Sequence, residues 1–375
     1  MKTRAEVTLA ISTSLRTTSA PCSPSTRLTK NNFDLLRLLF AGVVCLVHAY
    51  ELSGFHQLSA IASMLSSAIA VKAFFVVSGF LIFMSYERSA SLGSYASKRI
   101  RRIYPAYFVV IVLCAFGLLI VSSKIPVDFF STSWIRYLVA NLAFLNFIQP
   151  TLPGVFEANK LAAVNGALWT LKIEVMFYLT VPLIVLMFRR FSHFPVLVFL
   201  YGASVTYSWL MSMLAERSGS GLYIELGRQL PGQLSYFIAG AFFYYFLHIF
   251  ERKAAYFISF AIALLLAGKF IPLAVFDPFI LATIVTFLAL VPYLGNFGKY
   301  GDFSYGVYIL HFPIIQILLH TTWFSNEEAW LFLVCVIVIT LGFGILMWHL
   351  VEKQFLYRNS HYIASSATET PIAKP

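Results

Sequence analysis

Ten long apolar segments, separated by short polar connections, dominate the sequence. They cover residues 33–52, 61–86, 103–122, 169–188, 194–213, 231–248, 254–272, 276–294, 303–322 and 328–350. Each approaches or exceeds about 20 residues, the length of an α-helix that crosses a lipid bilayer. The pattern therefore predicts an all-α fold: a polytopic integral membrane helical bundle with about ten transmembrane helices.

A further apolar piece, residues 134–148, is shorter and contains Arg136, Asn141 and Asn146. If it does not cross the membrane and the N-terminus is cytoplasmic, most of the 27 lysine and arginine residues lie on the cytoplasmic side. A crossing there would move the Arg189–Arg190 and Arg252–Lys253 pairs outside, against the positive-inside rule. We therefore expect both termini in the cytoplasm and an outer segment, 123–168, that contains one re-entrant or interfacial helix.

Composition supports the membrane class. Hydrophobic residues make up 59% of the 375 residues and charged residues only 11%, against about 25% charged in an average soluble domain. A net charge of +11 would suit nucleic acid, but the basic residues lie in the short connections, where they set topology. We expect no nucleic-acid partner. The four cysteines are scattered without metal-ligand spacing, so apolar packing is expected and no metal site.

The chain is predicted to have one domain with two tails. Residues 1–30 are rich in Ser and Thr, and their longest apolar piece, 7–11, is too short for a signal-peptide core. This segment is interpreted as a disordered cytoplasmic tail or as the product of an upstream start codon, with no bearing on the fold. The transmembrane domain follows at 31–355, and 356–375 form a short cytoplasmic C-terminal tail.

Arg37 and His48 are the first candidate functional residues. They are eleven residues apart, about three turns, so one helix face carries both at a separation of roughly 16 Å. Ionisable groups inside a membrane are costly and often functional. Alternatively, Arg37 anchors the helix at the inner interface and His48 is a packed polar residue. Asp34, three residues before Arg37, is a possible ion-pair partner.

Two further polar positions lie within apolar segments. Lys72 is mid-span and needs a carboxylate, a carbonyl or water beside it, while the nearby Ser78-Gly79 pair is typical of close helix packing. Glu174 lies about 7 Å deeper than Trp169 along its helix. Because residues 172 and 174 point away from each other, Glu174 is expected to have a partner on another helix, and His48 is at comparable depth.

The remaining candidates lie near the expected cytoplasmic face. Lys98, Arg99, Arg101 and Arg102 precede the third span and indicate topology or lipid headgroup contact. Arg99 and Arg102 would share a helix side, which suits a phosphate-bearing ligand. Asp302 is expected to cap the ninth span. Three polar residues follow in the same segment: Tyr305, Tyr308 and His311. Polar packing and a functional site explain them equally well.

In order along the chain, these stretches resemble the acyltransferase-3 family of integral membrane acyltransferases, which modify surface polysaccharides and related glycans. The matching positions are the Arg37–His48 spacing, the Phe-Phe-Val-Val-Ser-Gly-Phe-Leu-Ile stretch at 74–82, Arg99 and Arg102 before Tyr104-Pro105, the block 169–178, and the block 301–313. The sequence departs from the family pattern at Thr170, where relatives have Ser, and is one residue shorter before His311. Lys72 stands where relatives often carry an acidic or neutral polar residue.

The resemblance implies a membrane O-acyltransferase of the cell inner membrane. It would move an acyl group, by default acetyl, from cytosolic acyl-CoA to a hydroxyl of a cell-surface or lipid-linked polysaccharide. Acyl-CoA is then a co-substrate rather than a bound cofactor, and the expected partners are the glycan acceptor and membrane lipids.

The resemblance also implies roles for the candidate residues. His48 is the expected general base or transient acyl carrier, Arg37 lines the path inward, and Glu174 orients His48. Arg99 and Arg102 would hold the donor phosphates. The other expected substrate-binding residues are Asp34, Lys72, Tyr305 and His311. In an alternative within the same class, His311 is the base and His48 only packs.

Two other function classes remain open at this point. A transporter of a lipid-linked or small polar substrate would use the same ionisable groups as a gated path, although no inverted repeat is visible in the sequence. A structural membrane scaffold would leave Arg37, His48, Lys72 and Glu174 unexplained.

Overall fold

A computed structural model describes residues 28, 30–271 and 273–357. Nearly all of both predicted tails lies outside these residues. The described part is helical, with ten helices of fourteen or more residues. They are α1 (Phe33–Ser53), α2 (Ser67–Glu87), α3 (Leu92–Gly117), α4 (Trp169–Arg190), α5 (His193–Ser218), α6 (Leu230–Tyr245), α7 (Leu247–Ala267), α8 (Asp277–Leu290), α9 (Ser304–His320) and α10 (Ala329–Met347). The predicted all-α class is confirmed.

Local signals set several helix ends. α1 ends at Gly54, whose φ of 67° is left-handed and suits glycine. The hydroxyl of Ser66 accepts the Ile69 N–H at the start of α2, and Ser91 accepts the Ser94 N–H at the start of α3. The second predicted span therefore includes a break in the helix, because a short helix, Ser59–Met64, ends before Ser66.

The helix that contains the third predicted span begins well before residue 103. α3 starts at Leu92, so the basic stretch 98–102 lies inside the helix rather than before it. A hydropathy pattern misses these turns because they carry charge. The piece 134–148 contains only an eleven-residue helix, Thr132–Leu142, which at about 16 Å is too short to cross a bilayer.

Among the described residues, six helical segments are long and apolar enough to cross a membrane. They are Phe33–Ser53, His56–Glu87, Leu92–Val121, Gly166–Arg190, His193–Ser218 and Ala329–Phe355. α8 and α9 are apolar but shorter, α6 has 16 residues, and α7 carries three charged residues near its start, Glu251, Arg252 and Lys253. The protein is thus a helical membrane protein, while the count of ten crossings remains a prediction.

α9 forms the centre of the site region. Nearly all of its side chains are buried, and it packs between α1 and α10, with α3 alongside. α2 packs against α1 and, closely, against α6. A β-carbon at Gly79 would overlap the Phe237 carbonyl oxygen, and one at Gly240 would overlap that of Val76. This close approach confirms the helix-packing interpretation of Ser78-Gly79.

Prolines inside α4 and α9 free carbonyl groups that side chains then bind. Pro313 has no N–H, so the carbonyl of Ile309 loses its helical partner; the Asn165 side chain donates to it at 2.8 Å. In α4, Pro182 frees the carbonyl of Tyr178, and the Tyr95 hydroxyl donates to that oxygen at 3.0 Å. These bonds satisfy backbone groups that would otherwise be unpaired inside the membrane.

Candidate active site

Four charged side chains from distant parts of the chain meet at one end of α9. The Arg37 and Arg102 guanidinium groups both donate to Oδ2 of Asp302, and Arg102 also donates to Oε2 of Glu352 at 3.1 Å. The side chains of Asp302 and Glu352 are only 1% and 2% exposed. We call these four residues the charge cluster. A carboxylate this buried is stable only when paired in this way.

Local backbone geometry positions the side chains of both Asp302 and Glu352. Asp302 follows Gly301, whose φ of 115° and contact with the Trp348 ring leave no room for a side chain. Asp302 then accepts the Ser304 N–H at 3.2 Å, which confirms the predicted capping role. Glu352 ends a π-helical turn, Trp348–Glu352, that continues α10. Such turns shift the side-chain register and are frequent at functional sites.

The charge cluster changes the sequence-based view of the basic residues. Asp302 was expected only as a cap, and Glu352 was not expected at all, although an acid directly after an apolar segment is a usable signal. Burial alone would raise the pKa of the Asp302 carboxyl, but Arg37 and Arg102, aided by hydrogen bonds from Ser304, lower it to about 2. The carboxylate is therefore ionised throughout the physiological range.

Arg99 lies on the same helix but has different neighbours. Its Nη2 donates to the Ser85 hydroxyl at 3.1 Å, and its guanidinium lies 5.8 Å from the centre of the Tyr178 ring. Its Nε is buried and makes no hydrogen bond within the described part of the chain. Arg102 thus forms ion pairs with two acidic side chains, whereas Arg99 contacts a hydroxyl group and an aromatic ring.

The two candidate histidines are in direct contact. Nδ1 of His48 lies 2.9 Å from Nε2 of His311, and the rings stack with centroids 5.2 Å apart. His311 is fully buried, while the His48 side chain is 19% exposed. On the exposed side, Nε2 of His48 lies 3.8 Å from the Glu51 carboxylate. Of the pair, only His48 is open to an incoming molecule.

The hydrogen bond between the rings constrains where the protons lie. One nitrogen must donate and the other accept. Nδ1 of His311 faces the backbone carbonyls of Val307 and Tyr308 in its own helix, although the geometry is too poor for a regular hydrogen bond. A proton on that nitrogen leaves Nε2 of His311 as the acceptor. His48 then donates from Nδ1, and its exposed Nε2 keeps a free lone pair.

The predicted contact between His48 and Glu174 is wrong. Glu174 accepts a hydrogen bond from the Tyr178 hydroxyl at 2.6 Å, four residues along the same helix, and no bond to His48 occurs in the described residues. The sequence did offer this partner, since positions i and i+4 are neighbours on a helix. Glu174 instead faces a cavity that it shares with Arg37.

That cavity lies between the charge cluster and the histidines. It measures about 40 Å³ and is bordered by Arg37, Phe74, Thr170, Glu174 and Tyr308, among others. This volume suits a few water molecules rather than an acyl chain. Phe74 and Tyr308 pack edge to face at its border, and the Tyr308 ring also lies against His311. The predicted path from Arg37 to His48 is therefore narrow in this structure.

Two motif tyrosines have structural roles at the border of the cavity. Thr170 shares a 2.7 Å hydrogen bond with the Tyr308 hydroxyl, so the threonine that replaces serine in the family pattern keeps the hydroxyl contact. The Tyr305 hydroxyl donates to the carbonyl of Ile103 in α3 at 3.0 Å. Both tyrosines thereby join α9 to its neighbours.

The outer segment is attached to α9 near the histidines. Besides the Asn165 bond to Ile309, the Asn159 side chain donates to the Gln316 carbonyl at 3.0 Å, and Gln316 in turn donates to the carbonyl of Ala163 at 2.8 Å. The Gly166 backbone lies against the Phe312 ring, which itself touches His48. Sequence reasoning missed these amides, whose signal was polar side chains in a connection between apolar segments.

Lys72 is separate from this site. Its ammonium group lies 5.1 Å from the centre of the Tyr236 ring and borders another cavity. Asp34, by contrast, lies in the first turn of α1 with Arg37. Their predicted roles in substrate binding stay predictions.

Comparison with known proteins agrees with the resemblance. A family model described as "Acyltransferase domain" matches residues 30–349. "Nodulation protein 10" of Rhizobium leguminosarum bv. viciae is 29% identical over 89% of this chain and 95% of its own length. An "O-acetyl transferase" of Shigella phage Sf6 is 28% identical over 88% of this chain and 97% of its own length. No solved structure matches the chain.

Proposed function

The chain belongs to the acyltransferase-3 family, and we propose that this membrane acyltransferase moves an acetyl group from cytosolic acyl-CoA to a hydroxyl of a cell-surface or lipid-linked polysaccharide. The relative named as an O-acetyl transferase, aligned over nearly its whole length, supports both the acetyl group and the oxygen acceptor. The family match favours this function over the transporter and scaffold alternatives.

The observation that carries the proposal is the contact between His48 and His311. In the proposed reaction, Nε2 of His48 takes the proton from the acceptor hydroxyl as its oxygen attacks the thioester carbonyl. A C–O bond forms, the C–S bond breaks, and the CoA thiolate leaves with the proton returned from His48. His311 would share the positive charge on His48 through the 2.9 Å bond. General-base catalysis of this kind contributes about 10²- to 10⁴-fold.

The donor would enter at the charge-cluster end. Arg99 is the better candidate for the donor phosphates, because its guanidinium has a hydroxyl and a ring as neighbours rather than two carboxylates. Arg102, Arg37 and Asp34 would line the same entrance. The cavity between the charge cluster and the histidines is narrow. We therefore expect Phe74 and Tyr308 to move when the acyl group advances towards His48.

The proposed orientation follows from charge distribution. With ten crossings and both termini cytoplasmic, Arg99 and the charge cluster face the cytosol, where acyl-CoA is made, and His48 faces the outer side. This orientation satisfies the positive-inside rule and favours the inner membrane as the location. Glu174 and Tyr305 would then border the route between the two ends.

Mass spectrometry of surface glycans tests the function. Cells with and without the gene should differ by acetyl esters on one glycan, and purified protein in lipid nanodiscs should transfer label from [14C]acetyl-CoA to glycan extracted from the deletion strain. Identical glycans, together with no labelled product, would refute the proposal. Uptake of a glycan without acetyl-CoA would instead support transport.

A further inference from the structure

A second cavity, of about 650 Å³, lies between α2, α5, α6 and the start of α8. Its volume is in the range of small-ligand sites, about 300–1,000 Å³. Lys72 lies in the second turn of α2 and borders this space, while its neighbour Val71 borders the small cavity next to Arg37. Adjacent helix positions diverge by about 100°, so the two cavities lie on different sides of α2.

The second cavity carries one positive and one negative group that are not bonded to each other. Lys72 and Asp277 interact electrostatically across the cavity, and neither side chain has a hydrogen-bond partner within the described ranges. Ser208 and Ser212 also border the cavity and likewise lack side-chain bonds among the described residues. These are four donors or acceptors directed at an open volume.

Two aromatic rings complete the lining. Trp209 is 62% exposed, whereas the Tyr236 side chain is 8% exposed and lies under the Lys72 ammonium group. Flat rings beside hydroxyls, a carboxylate and an ammonium group suit a sugar, whose C–H faces stack on rings while its hydroxyls both donate and accept. A phosphate fits less well, because the only cation bordering the space in the described part stands near a carboxylate.

The cavity is at the same end of the bundle as His48. α1 runs from Arg37 in its first turns to His48 near its C-terminus, and the connection 54–66 leads directly into the α2 turns that hold Lys72. A glycan of several sugar units lying across the N-terminus of α2 would reach both places.

We propose that the second cavity binds a sugar unit of the acceptor glycan other than the one that is acylated; this rests on the proposed function. The site would supply affinity and selectivity for the glycan and would take no part in the chemical step. Substitutions there should change the acceptor requirement while leaving donor use unchanged.

The test uses full-length protein in nanodiscs, [14C]acetyl-CoA, and envelope polysaccharide extracted from the deletion strain as acceptor. Trp209→Ala and Lys72→Met should each raise the acceptor KM tenfold or more, with unchanged acetyl-CoA KM and unchanged thioester hydrolysis in the absence of acceptor. Trp330→Ala, at a 54% exposed tryptophan of α10, is the matched control and should behave as wild type. If Lys72→Met does not accumulate, the exposed Trp209 still provides the test.

Two results separate the possible failures. A normal acceptor KM in an active Trp209→Ala protein would overturn this inference and leave the proposed function intact. A wild-type protein that labels no glycan would overturn both. A lipid headgroup is the alternative occupant of the cavity, and native mass spectrometry in nanodiscs that contain phosphatidylethanolamine tests it. If the wild-type protein retains one lipid, Lys72→Met loses that lipid, and the acceptor KM of Lys72→Met is unchanged, the cavity binds a zwitterionic headgroup and the proposed sugar site is refuted.

Discussion

Arg37 and His48 lie on one face of the same helix, yet their surroundings differ in kind. Arg37 joins a cluster in which two guanidinium groups share one carboxylate and a second carboxylate completes the set. His48 meets another imidazole, with its closest carboxylate, Glu51, 3.8 Å away on the exposed side. Ion pairs thus hold one end of α1, while the other end carries an imidazole bonded to a second imidazole.

From this difference we expect the charge cluster to stabilise the fold and the histidine pair to perform the chemistry. A cluster of balanced buried charges joins α1, α3, α9 and the π-helical turn, and loses much of its stability when one member is removed. A stacked histidine pair contributes less to packing, but imidazole is the side chain whose ordinary pKa lies closest to neutral pH. We therefore expect substitutions at the two ends to fail in different ways: protein accumulation at the cluster, and catalysis at the histidines.

The largest expected effect is at His48. His48→Ala should lower the rate of acetyl transfer by about 10²- to 10⁴-fold, because the general base is lost, while the protein still inserts and accumulates. Labelled acetyl transfer per milligram of purified protein measures this effect. His56→Ala, at an exposed histidine just after α1, is the control. Near-normal transfer by His48→Ala would exclude its role as base and favour His311.

Asp302→Asn tests the expected structural role of the charge cluster. Removing the shared carboxylate leaves two partly buried guanidinium groups without their common partner, which should cost about 3 kcal/mol of stability. We expect a large loss of folded protein and a lower thermal midpoint in detergent. Ser304→Ala removes only a hydrogen bond to the same carboxylate and should cost about 1 kcal/mol. An Asp302→Asn protein of wild-type stability but without activity would instead make the cluster a catalytic group.

Acid should weaken the charge cluster in a defined window. The folded-state pKa of Asp302 is lowered from 3.8 to about 2, so its contribution is fully present above the unfolded value near 4 and is lost as the pH falls towards 2. The loss amounts to about 2 kcal/mol. Thermal midpoints measured from pH 7 to pH 2 should therefore fall most below pH 4, and Asp302→Asn should lose that component. Parallel profiles for the two proteins would contradict this account.

The smallest effect is expected at Arg99. Arg99→Ala should raise the KM for acetyl-CoA about tenfold, with little change in kcat, because a phosphate contact made equally in ground and transition states is lost. Arg101 is the control: it is exposed and its guanidinium lies 4.5 Å from the centre of the Tyr357 ring. If the KM for acetyl-CoA is unchanged in Arg99→Ala, Arg99 does not bind the donor, and its positive charge serves only to set membrane topology.

The sequence predicted local features well. Apolar runs predicted every long helix, because helix length and hydrophobicity are local properties, and Asp302 was expected at the right place as a cap. The start of α3 was missed because its charged turns project from a continuing helix. The Tyr178 partner of Glu174 was available four residues along and was passed over for a more distant one.

The site itself could not be assembled from the sequence. Asp302 lies 265 residues from Arg37 and 200 from Arg102, and His48 lies 263 residues from His311. No periodicity links such positions, since packing of whole helices brings them together. The family resemblance pointed to the residues, but their pairing needed the structure.

These separations have a consequence for biosynthesis. Arg37 and Arg102 emerge from the ribosome long before Asp302 and Glu352, so for much of translation the growing bundle contains two cations that lack the carboxylates of the charge cluster. Because isolated charges are costly in lipid, the early helices are expected to stay loosely associated or near the interface until the last two helices arrive. The segment from Asp302 to Glu352 then completes the fold, and a chain truncated before Asp302 should be degraded by membrane proteases as incompletely folded.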